Sequence, residues 1–309
     1  MSFRFVASKV VQTFITLLII VSIVMLSLAM VPGDPVRLML GPYATEEQIQ
    51  LVREQLGLNL PLHIRYVRYL TGLLQGDLGR SYHYDLPVAE LISIVYPRTL
   101  WLVAVALIFS LSIAIPVGVI SAVRQYSALD YAVRFLTYIA VCIPIFVFGI
   151  MLLHLLAVRI PIFPVAVVGS TTEIIVLPAL TLSVYSAPAI ARMTRSSMLD
   201  VVRQDYITTA RAKGLSERRV ILKHALRNAL IPIYTYTGLQ FGLFLGGSII
   251  TETIFAYPGM GTLMVNAIYE RDYPLIQGCV LVFALSFILV NMFIDLTYAL
   301  IDPRIKRAR

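Results

Sequence analysis

Six stretches of this chain run for about 18 to 25 residues without a formal charge: Val10–Val31, Thr99–Val123, Phe135–Val158, Ile174–Ala191, Asn228–Thr251 and Leu275–Ile294. About 20 apolar residues in a helix cross the hydrocarbon core of a bilayer, so the pattern predicts an all-α membrane protein with six transmembrane helices. Ile174–Ala191 is the shortest and carries Pro178 and Pro188. The chain is 59% hydrophobic and 14% charged, whereas an ordinary soluble domain is about 25% charged. A soluble core of this size has no room for that much apolar surface, so the lipid bilayer is the expected solvent and partner. Cys142 and Cys279 both sit inside apolar stretches and read as small packing residues. Arg4 and Lys9 ahead of the first stretch resemble the start of a secretory signal, but the apolar run is long and no A-x-A site follows, which predicts a retained helix.

The net charge of +8 is not spread evenly. Basic residues gather in the N-terminal tail (Arg4, Lys9), in the second inter-span loop (Arg124, Arg134, against Asp130) and in the C-terminal tail (Arg304, Lys306, Arg307, Arg309, against Asp302). The fourth inter-span loop is the most basic, with Arg192, Arg195, Arg203, Arg211, Lys213, Arg218, Arg219, Lys223 and Arg227 against Asp200, Asp205 and Glu217. These segments alternate along the chain, so a six-span topology puts them on one side, which the positive-inside rule makes cytoplasmic. Both termini are then cytoplasmic, and the charge reads as membrane orientation rather than as a nucleic-acid surface.

The segment Pro32–Pro97 then lies outside and is too long for a connector. Thr45-Glu46-Glu47-Gln48 is a capping box, the helix it starts runs to Leu56, and Gly57 suits a left-handed stop. A second helix follows Pro61, with Ile64, Val67, Leu70 and Leu74 at helical spacing, and a third covers Val88–Tyr96. This small helical region is either a packing lid or a docking surface for an external binding protein.

Small residues recur every four positions at Gly238, Gly242 and Gly246, and at Ser183, Ala187 and Ala191, giving faces on which another helix lies close. Prolines at Pro116, Pro144, Pro178, Pro188 and Pro232 permit bends. Polar groups inside spans are few: Tyr234, Tyr236 and Gln240, the pair Asn291 and Asp295 on one face, and His154. Such groups usually face a bundle interior or an aqueous cavity. Tyr236, Gln240 and Asn291 are the candidates for lining a translocation pathway.

The run Asp205-Tyr206-Ile207-Thr208-Thr209-Ala210-Arg211-Ala212-Lys213-Gly214-Leu215-Ser216 cannot dissolve in lipid. Leu199, Val202, Ile207 and Ala210 predict one helix with charges on its other face. Gly214 can end it in the left-handed conformation, Ser216 can cap a second helix, and Glu217 favours that helix's positive end. The second helix is expected to run from Arg218 through Asn228 into the fifth span, past Pro232. A push on this elbow would reach the membrane instead of being absorbed by slack chain.

With these residues the chain resembles the inner-membrane permease subunits of ABC importers of the dipeptide/oligopeptide/nickel type. In the general importer motif EAA-x3-G-x9-I-x-L-P, Ala210, Gly214 and Leu226 match, while Thr208, Thr209, His224 and Arg227 depart. The peptide branch fits more closely, through Asp205-Tyr206, Thr209 to Leu215, and Leu226 to Pro232. Pro32-Gly33-Asp34-Pro35, Gly76-Asp77-Leu78-Gly79, Ile254 to Gly261, Arg271-Asp272-Tyr273-Pro274 and Asp302-Pro303-Arg304 carry the resemblance over nearly the whole chain. The outer loop and chain order resemble the first permease of the pair.

The resemblance implies a type I ABC importer permease fold. Its regions would be a tail and first helix (1–31), an extracytoplasmic helical region (32–97), a core (98–301) holding the coupling loop 192–229, and a cytoplasmic tail (302–309). It also implies the partners: a paralogous second permease, two ATPase subunits or domains and an extracytoplasmic substrate-binding protein. ATP and Mg belong to the ATPases, and no cofactor or metal is expected on this chain. ATPase coupling would fall to Asp205, Tyr206, Thr209, Ala210, Arg211, Ala212, Lys213, Gly214, Leu215 and Arg218. The chain has no G-x-x-x-x-G-K-[ST], H-E-x-x-H or G-x-S-x-G, which argues against an ATPase, a zinc hydrolase or a serine hydrolase. An ion-coupled secondary carrier is the rival class, but such carriers usually show internal repeats and intramembrane charges. Substrates of the branch include dipeptides, longer peptides, nickel chelates, opines, glutathione and oligosaccharides.

Overall fold

A computed structural model of the chain describes residues 3–164 and 174–301, and every regular element among them is helical. The C-terminal tail 302–309, with its expected basic cluster, lies outside the described residues, as does the side chain of Asp295. Four helices are long and apolar enough to cross a membrane: Ser8–Met30, Val88–Val123, Val176–Val202 and Tyr273–Ile294. The third expected span is present but broken: Ala128–Cys142 and Ile145–Arg159 meet at 96°. The break falls at Pro144, which has no N–H to continue the ladder and holds Ile143 in an extended conformation (φ −85°, ψ 119°). Leu226–Ile254 takes the place of the expected fifth span. Its 29 residues span about 43 Å, more than a hydrocarbon core of about 30 Å, although with Tyr234, Tyr236, Thr237 and Gln240 it falls outside the set of helices apolar enough to cross.

Pro116, Pro188 and Pro232 sit inside continuous helices. The expected outer helix Val88–Tyr96 is not separate. It is the beginning of Val88–Val123, which passes through Pro97 without interruption.

The chain forms two compact units, Met1–Thr99 with Pro258–Ile288, and Leu100–Tyr257 with Leu289–Arg309. In the first, the capping box forms as expected: Thr45 Oγ1 accepts from Gln48 N at 3.3 Å, and Gln48 Oε1 accepts from Thr45 N at 3.0 Å. Gly57 ends that region of chain in the left-handed conformation at φ +65°. The second outer helix is Leu62–Leu74. The motif residues around Arg271 hold this unit together. Buried Asp272 accepts from the Ser81 hydroxyl, from His83 N at 3.1 Å and from Leu275 N at 3.2 Å, so it joins the outer segment to the start of Tyr273–Ile301. The Arg271 guanidinium lies directly over Gly33, where a Cβ would fall 1.5 Å from its Nη1. Val88, Ile92, Met260, Leu275, Ile276 and Cys279 form the apolar core around this joint.

In the second unit Leu226–Ile254 packs chiefly on Val176–Val202, and Ile145–Leu153 packs against both. Close approach is local: Gly247 meets Leu182 Cδ2 and Gly149 meets Thr181 Cγ2, both at 3.2 Å from a built Cβ. Ser183, Ala187 and Ala191 are all buried. Of the glycine row, Gly238 is pressed against Ile294, while a Cβ built at Gly246 would meet nothing within 4 Å outside its own helix backbone and chain neighbours.

Replacing Asp272 by Ala strands three donors and removes the joint, at a cost of about 2–4 kcal/mol. The thermal midpoint of the purified protein in detergent should fall by several degrees for Asp272→Ala and less for Asp272→Asn, which keeps an acceptor. An unchanged midpoint for Asp272→Ala would show that the joint is not structural.

Candidate functional site

The polar run after Val176–Val202 folds as helix, elbow and helix. The single helix expected from Leu199 to Ala210 is in fact two, because Gln204 is extended (φ −77°, ψ 148°) and starts a new helix, Asp205–Ala212. The apolar face nevertheless continues across the break. Ile207 and Ala210, 0% and 8% exposed, join Met198, Val220, Ile221 and Ala225 in one cluster, and Leu199 and Val202 pack against it.

Gly214 makes the elbow at φ +77°, its N–H donating to Arg211 O at 2.9 Å. Nothing lies within 4 Å of a Cβ built there, so the dihedral alone selects glycine. Ser216 starts the next helix, but its hydroxyl does not cap it as expected. Its extended backbone lets the carbonyl accept from Arg219 N at 2.9 Å and Val220 N at 3.0 Å instead. Glu217–Arg219 is followed by a π-helical turn, Val220–Ala225, and by Leu226–Ile254, which continues past Pro232. The elbow therefore leads into the long helix without an extended link.

Two polar contacts brace it. Arg211 donates from Nε to Glu217 Oε2 at 3.1 Å and from Nη2 to Oε1 at 2.7 Å, a bidentate pair across the elbow. The Tyr206 hydroxyl accepts from Asn228 Nδ2 at 2.9 Å, which ties the first helix to the first turn of the long one. The hydrogen bonds from Arg211, together with its charge, hold the Glu217 carboxyl below the usual glutamate range against a modest desolvation. Asp205, Tyr206, Thr209, Arg211, Ala212, Lys213, Gly214 and Arg218 face outward, whereas Ala210 is buried and Leu215 half-buried beneath them.

The pathway candidates are less concentrated. Tyr236 is half-buried against the apolar cluster under the elbow, Gln240 is buried one turn further along the same helix, and half-buried Asn291 lies on Tyr273–Ile301. One polar centre escaped sequence reasoning. Asp130, with no exposure, accepts from the Ser121 hydroxyl, from Tyr126 N at 3.1 Å, and from Arg195 Nε and Nη2, both at 2.9 Å, and Arg134 Nη2 lies 3.4 Å away. Only the Asp130–Arg134 spacing was visible locally.

Because the lowered Glu217 carboxyl is exposed, its pair contributes only about 0.2–1 kcal/mol. That contribution is present above the unfolded glutamate pKa of about 4.3 and is lost as pH falls through the folded value. Amide exchange at the elbow should be faster in Glu217→Gln than in the parent at neutral pH, by less than about tenfold, and the difference should vanish in acid. Equal exchange at neutral pH would mean that the pair does not brace the elbow.

Residues 114–307 match the family described as binding-protein-dependent transport system inner membrane component, and residues 2–103 match its N-terminal companion. The glutathione transport system permease protein GsiC of Salmonella paratyphi A is 43% identical over 303 residues, covering 98% of this chain and 99% of that protein. The oligopeptide transport system permease protein AppB of Bacillus subtilis is 41% identical over 308 residues, covering 96% and 98%. Among solved structures, the inward-facing MetNI methionine ABC transporter aligns with a TM-score of 0.57 at 21% identity, over 69% of this chain and 97% of that one. That last likeness supports the fold of the type I importers. The chain belongs to the inner membrane component family of binding-protein-dependent transport systems and is a permease subunit of an ABC importer.

Proposed function

We propose that this chain is the first of two paired permeases of an importer for di- or oligopeptides, and that the segment 205–218 is the part gripped by an ATPase subunit. Peptide cargo is supported by the two relatives, one named for glutathione and one for oligopeptides. The charge distribution supports a plasma-membrane subunit with both termini and the elbow cytoplasmic and residues 32–97 outside, available to a substrate-binding protein. ATP and Mg would act on the partner ATPases. The observation that supports the coupling role is the packing of an exposed elbow onto the helical run that becomes Leu226–Ile254, through the buried Ile207 and Ala210 and the Tyr206–Asn228 bond.

In this reading 192–229 is the coupling region of the core 98–301. Asp205, Tyr206, Thr209, Arg211, Ala212, Lys213, Gly214 and Arg218 form the gripped surface, and Ala210 and Leu215 hold it in place. Closure of the ATPase pair on ATP moves the elbow, the long helix moves with it, and Tyr236 and Gln240 shift with the pathway, which Asn291 also lines. The open face at Gly246 is suited to the paralogous permease.

Proline fixes φ near −65°, which is incompatible with the +77° at position 214. In the reconstituted importer, Gly214→Pro should abolish peptide uptake while ATP hydrolysis continues without response to substrate. Uptake at the parental rate by a fully assembled Gly214→Pro complex would refute the coupling role.

A further inference from the structure

The helices Ala128–Cys142 and Val176–Val202 line two adjoining hollows that belong neither to the gripped surface 205–218 nor to the pathway candidates. One, of about 400 Å3, is lined by Arg134, Arg192, Arg195 and Arg203, with Asp200 the acidic residue at its wall. The other, of about 240 Å3, is apolar and lies between the same two helices and Val88–Val123, walled by Ala114 and Val117 of the latter and by Leu136, Ala140, Ala187 and Pro188. Thr137 lines both. Along Val176–Val202 the apolar hollow comes first and the arginines follow, with centres separated by about 15 Å of helix.

The charges do not cancel within the cavity. Asp130 engages Arg195 in two hydrogen bonds, and Arg192 and Arg203 form no ion pair among the described residues. Arg134 Nε and Nη2 are buried and lack a hydrogen-bond acceptor, although Nη2 feels the Asp130 carboxylate at 3.4 Å. Buried guanidinium donors call for an acceptor, and a phosphate oxygen suits the planar fork of arginine.

We propose that this composite cavity is a binding site for one anionic phospholipid, with the phosphate headgroup among Arg134, Arg192 and Arg203 and an acyl chain in the apolar hollow. The proposal rests on the cytoplasmic placement of the basic loops, since it is there that basic pockets between helices meet anionic headgroups. A free phosphate would satisfy the arginines, but it leaves the adjoining apolar hollow without a role. A lipid filling both would brace the two helices that Asp130 and Arg195 already join, beside the segment that leads to the elbow.

The test is native mass spectrometry of the assembled importer, released from micelles containing equal phosphatidylglycerol and phosphatidylcholine. The intact mass reports assembly of each variant in the same spectrum. The parent should retain phosphatidylglycerol selectively. Arg192→Gln with Arg203→Gln should weaken that retention by about thirtyfold, from roughly 1 kcal/mol for each basic side chain. Ala140→Phe, which fills the apolar hollow while leaving the arginines, should also lose the lipid. Equal retention of the two lipids, or retention unaffected by the arginine variants, overturns the site. Displacement of phosphatidylglycerol by inorganic phosphate, with Ala140→Phe behaving as the parent, overturns the lipid in favour of a simple anion. Uptake through Gly214 variants is read separately, so failure here leaves the coupling role to stand or fall on its own experiment.

Discussion

Ile207 and Ala210 are the apolar residues that fasten an otherwise polar helix to the membrane-bound part of the chain. Their side chains sit against Val220, Ile221 and Ala225, on the helical run that becomes Leu226–Ile254. Burying an isoleucine is worth about 1.5–3 kcal/mol. The exposed Arg211–Glu217 pair adds about 0.2–1 kcal/mol. Burial therefore decides where the loop lies, and the ion pair and the Tyr206–Asn228 bond refine its angle. Without the apolar contact the polar run would be a tether with nothing to transmit.

The same division recurs in the other unit. In the unit built from 1–99 and 258–288, an apolar core around Val88, Met260 and Leu275 supplies the packing, and a single buried carboxylate, Asp272, sets the register between segments far apart in sequence. Asp130 plays the equivalent part in the other unit, joining three helices through Ser121, Arg195 and its own backbone turn. A buried carboxylate surrounded by donors is a poor source of net stability but a demanding geometric constraint, which suits joints that must hold one arrangement.

Much of this was legible because it is local. Charge-free runs located the membrane helices, the Thr45–Gln48 box located its helix start, and the glycines at 57 and 214 announced left-handed turns that the structure contains. What was not legible depended on partners distant in sequence. Pro97 read as a boundary, yet the helix passes through it, with Val88 before it and Leu102 and Val103 after it fully buried. Pro144, with the same chemistry, produces a bend of 96°. The break at Gln204 hid behind an apolar pattern that continues across it, and the Asp130–Arg195 bond links residues 65 apart, beyond any periodicity. The outward set at the elbow was legible as a motif, while the inward turn of Ala210 and Leu215 required the cluster beneath them.

Whether the elbow and the long helix form one rigid lever is best measured by electron–electron double resonance between spin labels at Lys213 and Leu239, both exposed positions. In the assembled importer, a lever requires a single distance that is the same without nucleotide and with ATP bound, while the complex as a whole changes conformation. A distance that broadens or shifts by several ångströms on adding ATP would mean that the loop flexes on its own, and that motion at residue 214 does not reach the membrane.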